Sequence, residues 1–178
     1  MKRIFASLLV LFLLCSCSEE QDFDQIDDLV LEPTIASSIF YFESNEDTID
    51  LAGVGPFYSQ EFTFEAFNES FIQDNVVEAE LTYQLENTTN KALRIIVEFL
   101  DEAGNPLDSQ PFSLEPHPTT TLETIVNYGP SGKSLDILRN TKSIRINGEN
   151  QGDSTTGVSG TDPKVIFKSS AALSLSVE

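Results

Sequence analysis

Between Val77 and Glu86 the chain alternates without a break. Val77, Ala79, Leu81, Tyr83 and Leu85 are apolar; Glu78, Glu80, Thr82, Gln84 and Glu86 are polar. Successive side chains of an extended strand point to opposite faces, so this run has one face for a core and one for water. A helical period of 3.6 would scatter the same apolar residues around the whole circumference. The run is therefore a half-buried strand of an antiparallel sheet.

The same period continues on both sides. Asn87 to Asn90 supplies a turn, after which Leu93, Ile95, Val97 and Phe99 mark the next strand; the Asp101 to Pro106 stretch turns again. Further strands are expected at residues 35–43, with Phe40 and Phe42 on one face and Ile39 and Tyr41 on the other, from Tyr58 through Ala66, and at 107–114, 120–128, 142–148 and 164–177. Two places read as short helices. Phe67 and Phe71 lie four apart, as on one helical face, and Ser134 stands as an N-cap before Leu135, Ile137 and Leu138. NEDTIDLAGVGP, residues 45–56, reads as a loop. About eight strands joined by short turns, with no repeat of 20–50 residues, predict an all-β, two-sheet antiparallel sandwich. Thirteen Phe and no Trp predict a core packed with phenylalanine.

YQLENTTNKALRIIVEFLDEAGNPLDSQPFSLEPHPTTTLETIV, residues 83–126, resembles immunoglobulin-like sandwich modules of exported proteins: a strand ends in an Asn-rich turn, the next ends Asp-x-x-Gly, and a Pro-containing turn precedes the last. The resemblance implies an immunoglobulin-like fold and carries no activity with it.

The N-terminus has a different character. Lys2 and Arg3 precede an apolar run from Ile4 to Leu14, the layout of a bacterial export signal and about half the length needed to span a bilayer. Leu14-Cys15-Ser16-Cys17 then resembles the lipobox of bacterial lipoproteins, with Cys17 as the lipidated residue. The resemblance implies a signal peptide over 1–16, loss of Cys15 with it, anchoring in a bilayer through acylated Cys17, and no remaining thiol for a disulfide or metal site. Ser18 follows in place of the Asp that resembles an inner-membrane retention signal, so delivery to the outer membrane is expected. Residues 17–32 contain seven acids and no base, the composition of an extended acidic tether, and resemble surface-export signals of some outer-membrane-bearing bacteria. The sandwich domain is then expected over 33–178, on the periplasmic or the cell-surface face.

Charge narrows the partners. The chain has 29 acids against 10 Lys and Arg, a net −19, and no base between Arg3 and Lys91. Such a field repels phosphates, which argues against nucleic acid.

GPSGKS, residues 129–134, raises the question of a nucleotide loop. A Walker loop needs G-x-x-x-x-G-K-[ST], and here Asn127 stands where the first Gly belongs. The flanking strands alternate, whereas parallel strands buried on both faces read as continuous apolar runs. The stretch is therefore read as strand, turn and capped helix, with no nucleotide and no other cofactor. If Lys133 has a role, it is contact with an acidic surface.

His117, the only histidine, lies between Pro116 and Pro118 and has no GxSxG partner, so neither a catalytic triad nor a His-based zinc site is expected. Asp47-Thr48-Ile49 and Asp153-Ser154-Thr155 resemble the acceptor pattern of periplasmic O-glycosylation, which implies modification at Thr48 and Ser154. The expectation from sequence is a non-catalytic, lipid-anchored envelope protein whose sandwich binds a protein partner. A glycan-binding lipoprotein, with Tyr41, Tyr58, Tyr83 and Tyr128 in place of Trp as stacking platforms, is the alternative, and a carboxylate-based hydrolase ranks third.

Overall fold

The computed structural model describes residues 32–64, 69–116, 121–153 and 161–176. Its eight strands are β1 (Thr34–Asn45), β2 (Gly55–Thr63), β3 (Val76–Asn87), β4 (Lys91–Leu100), β5 (Pro106–Leu114), β6 (Leu122–Tyr128), β7 (Ser143–Asp153) and β8 (Lys164–Leu175). They form two four-stranded antiparallel sheets, ordered β1-β8-β3-β6 and β2-β7-β4-β5. The expected all-β sandwich of about eight strands is present.

The connectivity refines the immunoglobulin-like reading. The first strand pairs with the last, and among consecutive strands only β4 and β5 share a sheet. An immunoglobulin sheet places its first strand beside its second. The order here, with every other connection crossing between sheets, is that of a jelly roll.

On β3, β4 and β8 the face that alternation assigns is buried, save Val77, which a register shift at the start of β3 leaves 38 % exposed while Val76 is buried. On β3, Ala79, Leu81, Tyr83 and Leu85 are buried; on β4, Leu93, Ile95, Val97 and Phe99; on β8, Val165, Phe167, Ala171 and Leu173. Phe167 sits among aromatic rings from both sheets, 4.7 Å from Phe40, 5.7 Å from Phe112, 5.9 Å from Phe42 and 6.1 Å from Tyr83, centroid to centroid. The phenylalanine-packed core follows from these mostly edge-on and tilted contacts. A register shift between Ser38 and Phe40 breaks the period of β1, so Ile39, expected opposite Phe40, also packs against the core.

Three short helices join the strands: α1 (Glu46–Ala52), α2 (Ser70–Asn75) and α3 (Leu135–Asn140). α3 lies where the sequence placed it, and α2 falls within the expected stretch but begins at Ser70, past Phe67, which lies outside the described residues. α1 is a correction, since this stretch reads as a loop. Asn45 Oδ1 accepts from the Thr48 amide at 3.0 Å, Glu46 and Asp47 sit at the positive helix N-terminus, and Ile49 is fully buried. An Asn followed by two acids is a helix-start signal, obscured here by the brevity of the helix and the Gly-Val-Gly-Pro that follows. No helix among the described residues is long and apolar enough to cross a membrane.

Candidate functional site

The jelly-roll order sends β1 away from its start at Thr34, over 12 residues and roughly 40 Å, into α1. The opposite end, where β1 begins, carries α2 and α3. The α1 end gathers the β3–β4 turn and the start of β8. Glu46 Oε1 accepts from the Asn90 amide at 3.0 Å, and the Glu46 amide donates to the Pro163 carbonyl at 2.9 Å. Asp50 pairs with the buried Lys91 at 2.6 Å, and Asn150 Nδ2 donates to the Gly53 carbonyl at 3.1 Å. These contacts hold a backbone that nevertheless presents large apolar side chains to solvent: Leu51 is 90 % exposed and Val54 73 %. Asp47 and Asp50 flank them.

Beside this tip, β1, β2 and the start of β8 enclose a pocket of about 340 Å³. Phe57 and Tyr58 form its apolar side, and both rings are fixed from behind. Tyr58 stacks on Phe42 with centroids 4.3 Å apart and planes 9° apart. Phe57 lies against Gly148, where a Cβ would meet the ring at 2.8 Å; glycine at 148 lets the ring approach the strand. The polar side is Glu43, Asn45, Thr48, Asp162 and Lys164. Lys164 Nζ stands 3.3 Å from Asp162 Oδ2 and 3.7 Å from Glu43 Oε2, and the Tyr41 hydroxyl donates to Glu43 Oε2 at 2.7 Å. The Asp162 bond, then the Glu43 charge, raise the Lys164 pKa; the Glu43 hydrogen bond raises that of Tyr41, and burial that of Tyr58. Asp162 has φ 62°, the only positive φ outside glycine among the described residues. Strained backbone of this kind concentrates at working sites.

Pairing of β1 with β8 brings Asn45 opposite Lys164, residues far apart in the chain. Sequence reasoning missed Glu43, Asp162, Lys164, Leu51 and Val54 for that reason, and because the last two fell in a supposed loop. Of the four tyrosines expected as platforms, Tyr41 and Tyr58 belong to this end. Tyr83 and Tyr128 are each 1 % exposed and serve the core, because inward positions of β3 and β6 face the opposing sheet. Thr48 is exposed on the first turn of α1, its hydroxyl donating to Asn45 Oδ1 at 2.6 Å. Cys17, His117 and Ser154 lie outside the described residues. Among the described residues no group of three His, Cys, Asp or Glu is placed to hold a metal.

GPSGKS closes the other end of the sandwich. The Gly129 amide donates to the Lys133 carbonyl and the Lys133 amide to the Asn127 carbonyl, each at 2.8 Å, so these donors are used within the turn. Ser134 caps α3, accepting from the Asp136 amide at 3.2 Å. Lys133 Nζ reaches Asp108 Oδ2 at 2.6 Å, and the same oxygen accepts from the Tyr128 hydroxyl at 2.9 Å. The lysine of the nucleotide-like motif thus meets a carboxylate of its own chain.

No family model matches the chain, and no curated protein matches it in sequence. Solved structures give distant likenesses. A chain of the infectious bursal disease virus VP2 subviral particle is 13% identical with a TM-score of 0.39, over 84% of this chain and 33% of that one. A Bacillus endospore appendage, described as a family of disulfide-linked pili, is 5% identical with a TM-score of 0.36, over 83% and 92%. The arabinose-bound α-L-arabinofuranosidase MgGH51 is 11% identical with a TM-score of 0.39, over 82% and 23%. The chain therefore spans about a third of the first of these and about a quarter of the last.

Proposed function

We propose that this protein is a non-catalytic lipoprotein of the bacterial outer membrane, anchored through acylated Cys17, that presents the α1 end of its sandwich to a protein partner of the envelope. The observation that carries this reading is the pair Leu51 and Val54, exposed on a backbone held by one buried and one partly buried hydrogen bond. Exposed apolar residues on an ordered scaffold lose little conformational entropy on docking, which favours association. The acids beside them and the net charge of −19 specify the partner's chemistry: an apolar recess rimmed by Lys and Arg.

A photoreactive residue at position 51, irradiated in native envelopes, tests the reading. It predicts one dominant protein adduct that Val54→Asp abolishes. Absence of any adduct, or an adduct indifferent to Val54→Asp, overturns it. Membrane partitioning that persists in Cys17→Ala would remove the lipid anchor from the proposal.

A further inference from the structure

We infer that the pocket between β1, β2 and β8 binds a neutral sugar residue, in a role separate from protein docking at Leu51 and Val54. Its volume of about 340 Å³ lies at the small end of ligand pockets, which run from roughly 300 to 1,000 Å³, and suits a terminal group better than a long chain.

The unused hydrogen-bonding capacity defines the ligand. Tyr41 and Lys164 both address Glu43 Oε2, and Lys164 addresses Asp162 Oδ2. Among the described residues, Glu43 Oε1 and Asp162 Oδ1 remain as acceptors. Asn45 Oδ1 is taken by the Thr48 amide and hydroxyl, leaving Asn45 Nδ2 as a donor, and the Lys164 ammonium has a third N–H. The pocket thus sets acceptors beside donors along a wall that faces two fixed aromatic rings. Hydroxyl groups both donate and accept, and a sugar ring has an apolar C–H face to lay on Phe57 and Tyr58.

Charge excludes the competing classes. A cationic ligand would bring a second positive charge against Lys164, which already occupies the space between the carboxylates. An anion would meet Glu43, Asp162 and the field of a strongly acidic chain. The built-in ion triad selects an uncharged partner rich in hydroxyls.

Full-length protein in detergent, applied to an array of neutral, acidic and basic glycans, tests the assignment. Asp162→Gly is the informative variant, because it removes the carboxylate while giving glycine to a position at φ 62°. Neutral glycans should be retained by the parent and lost by about tenfold in Asp162→Gly, the size expected for one hydrogen bond to a charged group. The variant's melting temperature should stay close to the parent's, because glycine relieves the backbone while the Lys164 ion pair is lost. Glu43→Gln, which keeps the shape, should lose retention in the same direction. Raising salt should change parental retention by less than about twofold, since the ligand has no charge to screen. Retention of no neutral glycan, salt-sensitive retention of acidic or basic glycans alone, or undiminished retention in both variants overturns the proposal.

Discussion

The two ends of the sandwich are each closed by a short capped helix, and they use their apolar residues differently. At one end α3 follows Ser134, buries Leu138 fully, and packs Leu135 and Ile137 against the core. Arg139 in its last turn suits the helix dipole and donates to the Val76 carbonyl at 3.0 Å. At the other end α1 follows Asn45, buries only Ile49 of its apolar residues, and has no base in its last turn. Leu51 points outward instead. One helix is satisfied by its own fold; the other keeps apolar surface in excess of what closure requires. That excess is why the proposal places docking at the α1 end.

Truncating the two buried anchors should have the largest effect. Leu138→Ala and Ile49→Ala each remove a fully buried side chain and should each cost about 2–5 kcal/mol in denaturant unfolding. A much smaller loss for Ile49 would mean that α1 is weakly docked, and would break the comparison on its rigid side.

The turn before α3 comes next. A Cβ at Gly132 would land on the Asn127 carbonyl, so Gly132→Ala should destabilise by about 1–3 kcal/mol. The pair of core tyrosines sharpens the same region. Tyr128→Phe removes the donor to Asp108 and should cost about 1 kcal/mol, whereas the buried Tyr83 hydroxyl has no hydrogen-bond partner among the described residues and Tyr83→Phe should be neutral or slightly stabilising. Equal losses in thermal unfolding would refute the distinction.

Leu51→Ser should leave stability within about 0.5 kcal/mol of the parent, because its side chain is 90 % exposed, while abolishing the adduct of a photoreactive residue placed at position 54 instead of 51.

The smallest effects concern pH. Hydrogen bonds from Ser143 and Arg145 lower the Glu61 pKa, and those from Asn105 lower that of Asp101. A lowered folded value means stability that is present above the unfolded value and lost as pH falls through the folded one. Lys164 shifts upward, so its contribution is present below the unfolded lysine value and lost as pH rises through the folded one. Asp101→Asn should flatten the acid limb of a stability profile and leave the alkaline limb unchanged; Lys164→Met should do the reverse.

Much of this architecture is legible in the residues. The eight strands and the conversion of GPSGKS into a turn and capped helix all follow from period, turn residues and a capping serine. The candidate site is not legible in the same way. Glu43 looks like any outward residue of a strand, Asp162 and Lys164 like ordinary loop-edge charges, and Tyr128 like a candidate equal to Tyr41 and Tyr58, whereas the alternation of β3 already marks Tyr83 as inward. Alternation states that a side chain is inward or outward without saying which strand lies beside it.

The sequence by itself determined two-faced strands, a phenylalanine core and an acidic surface, because side-chain period and solubility are local properties. Only the tertiary structure decided that β8 lies between β1 and β3, and with it the meeting of Asn45 and Glu43 with Lys164. Strand order is chosen by the packing of whole sheets and the hand of their connections, a collective term that no single segment encodes.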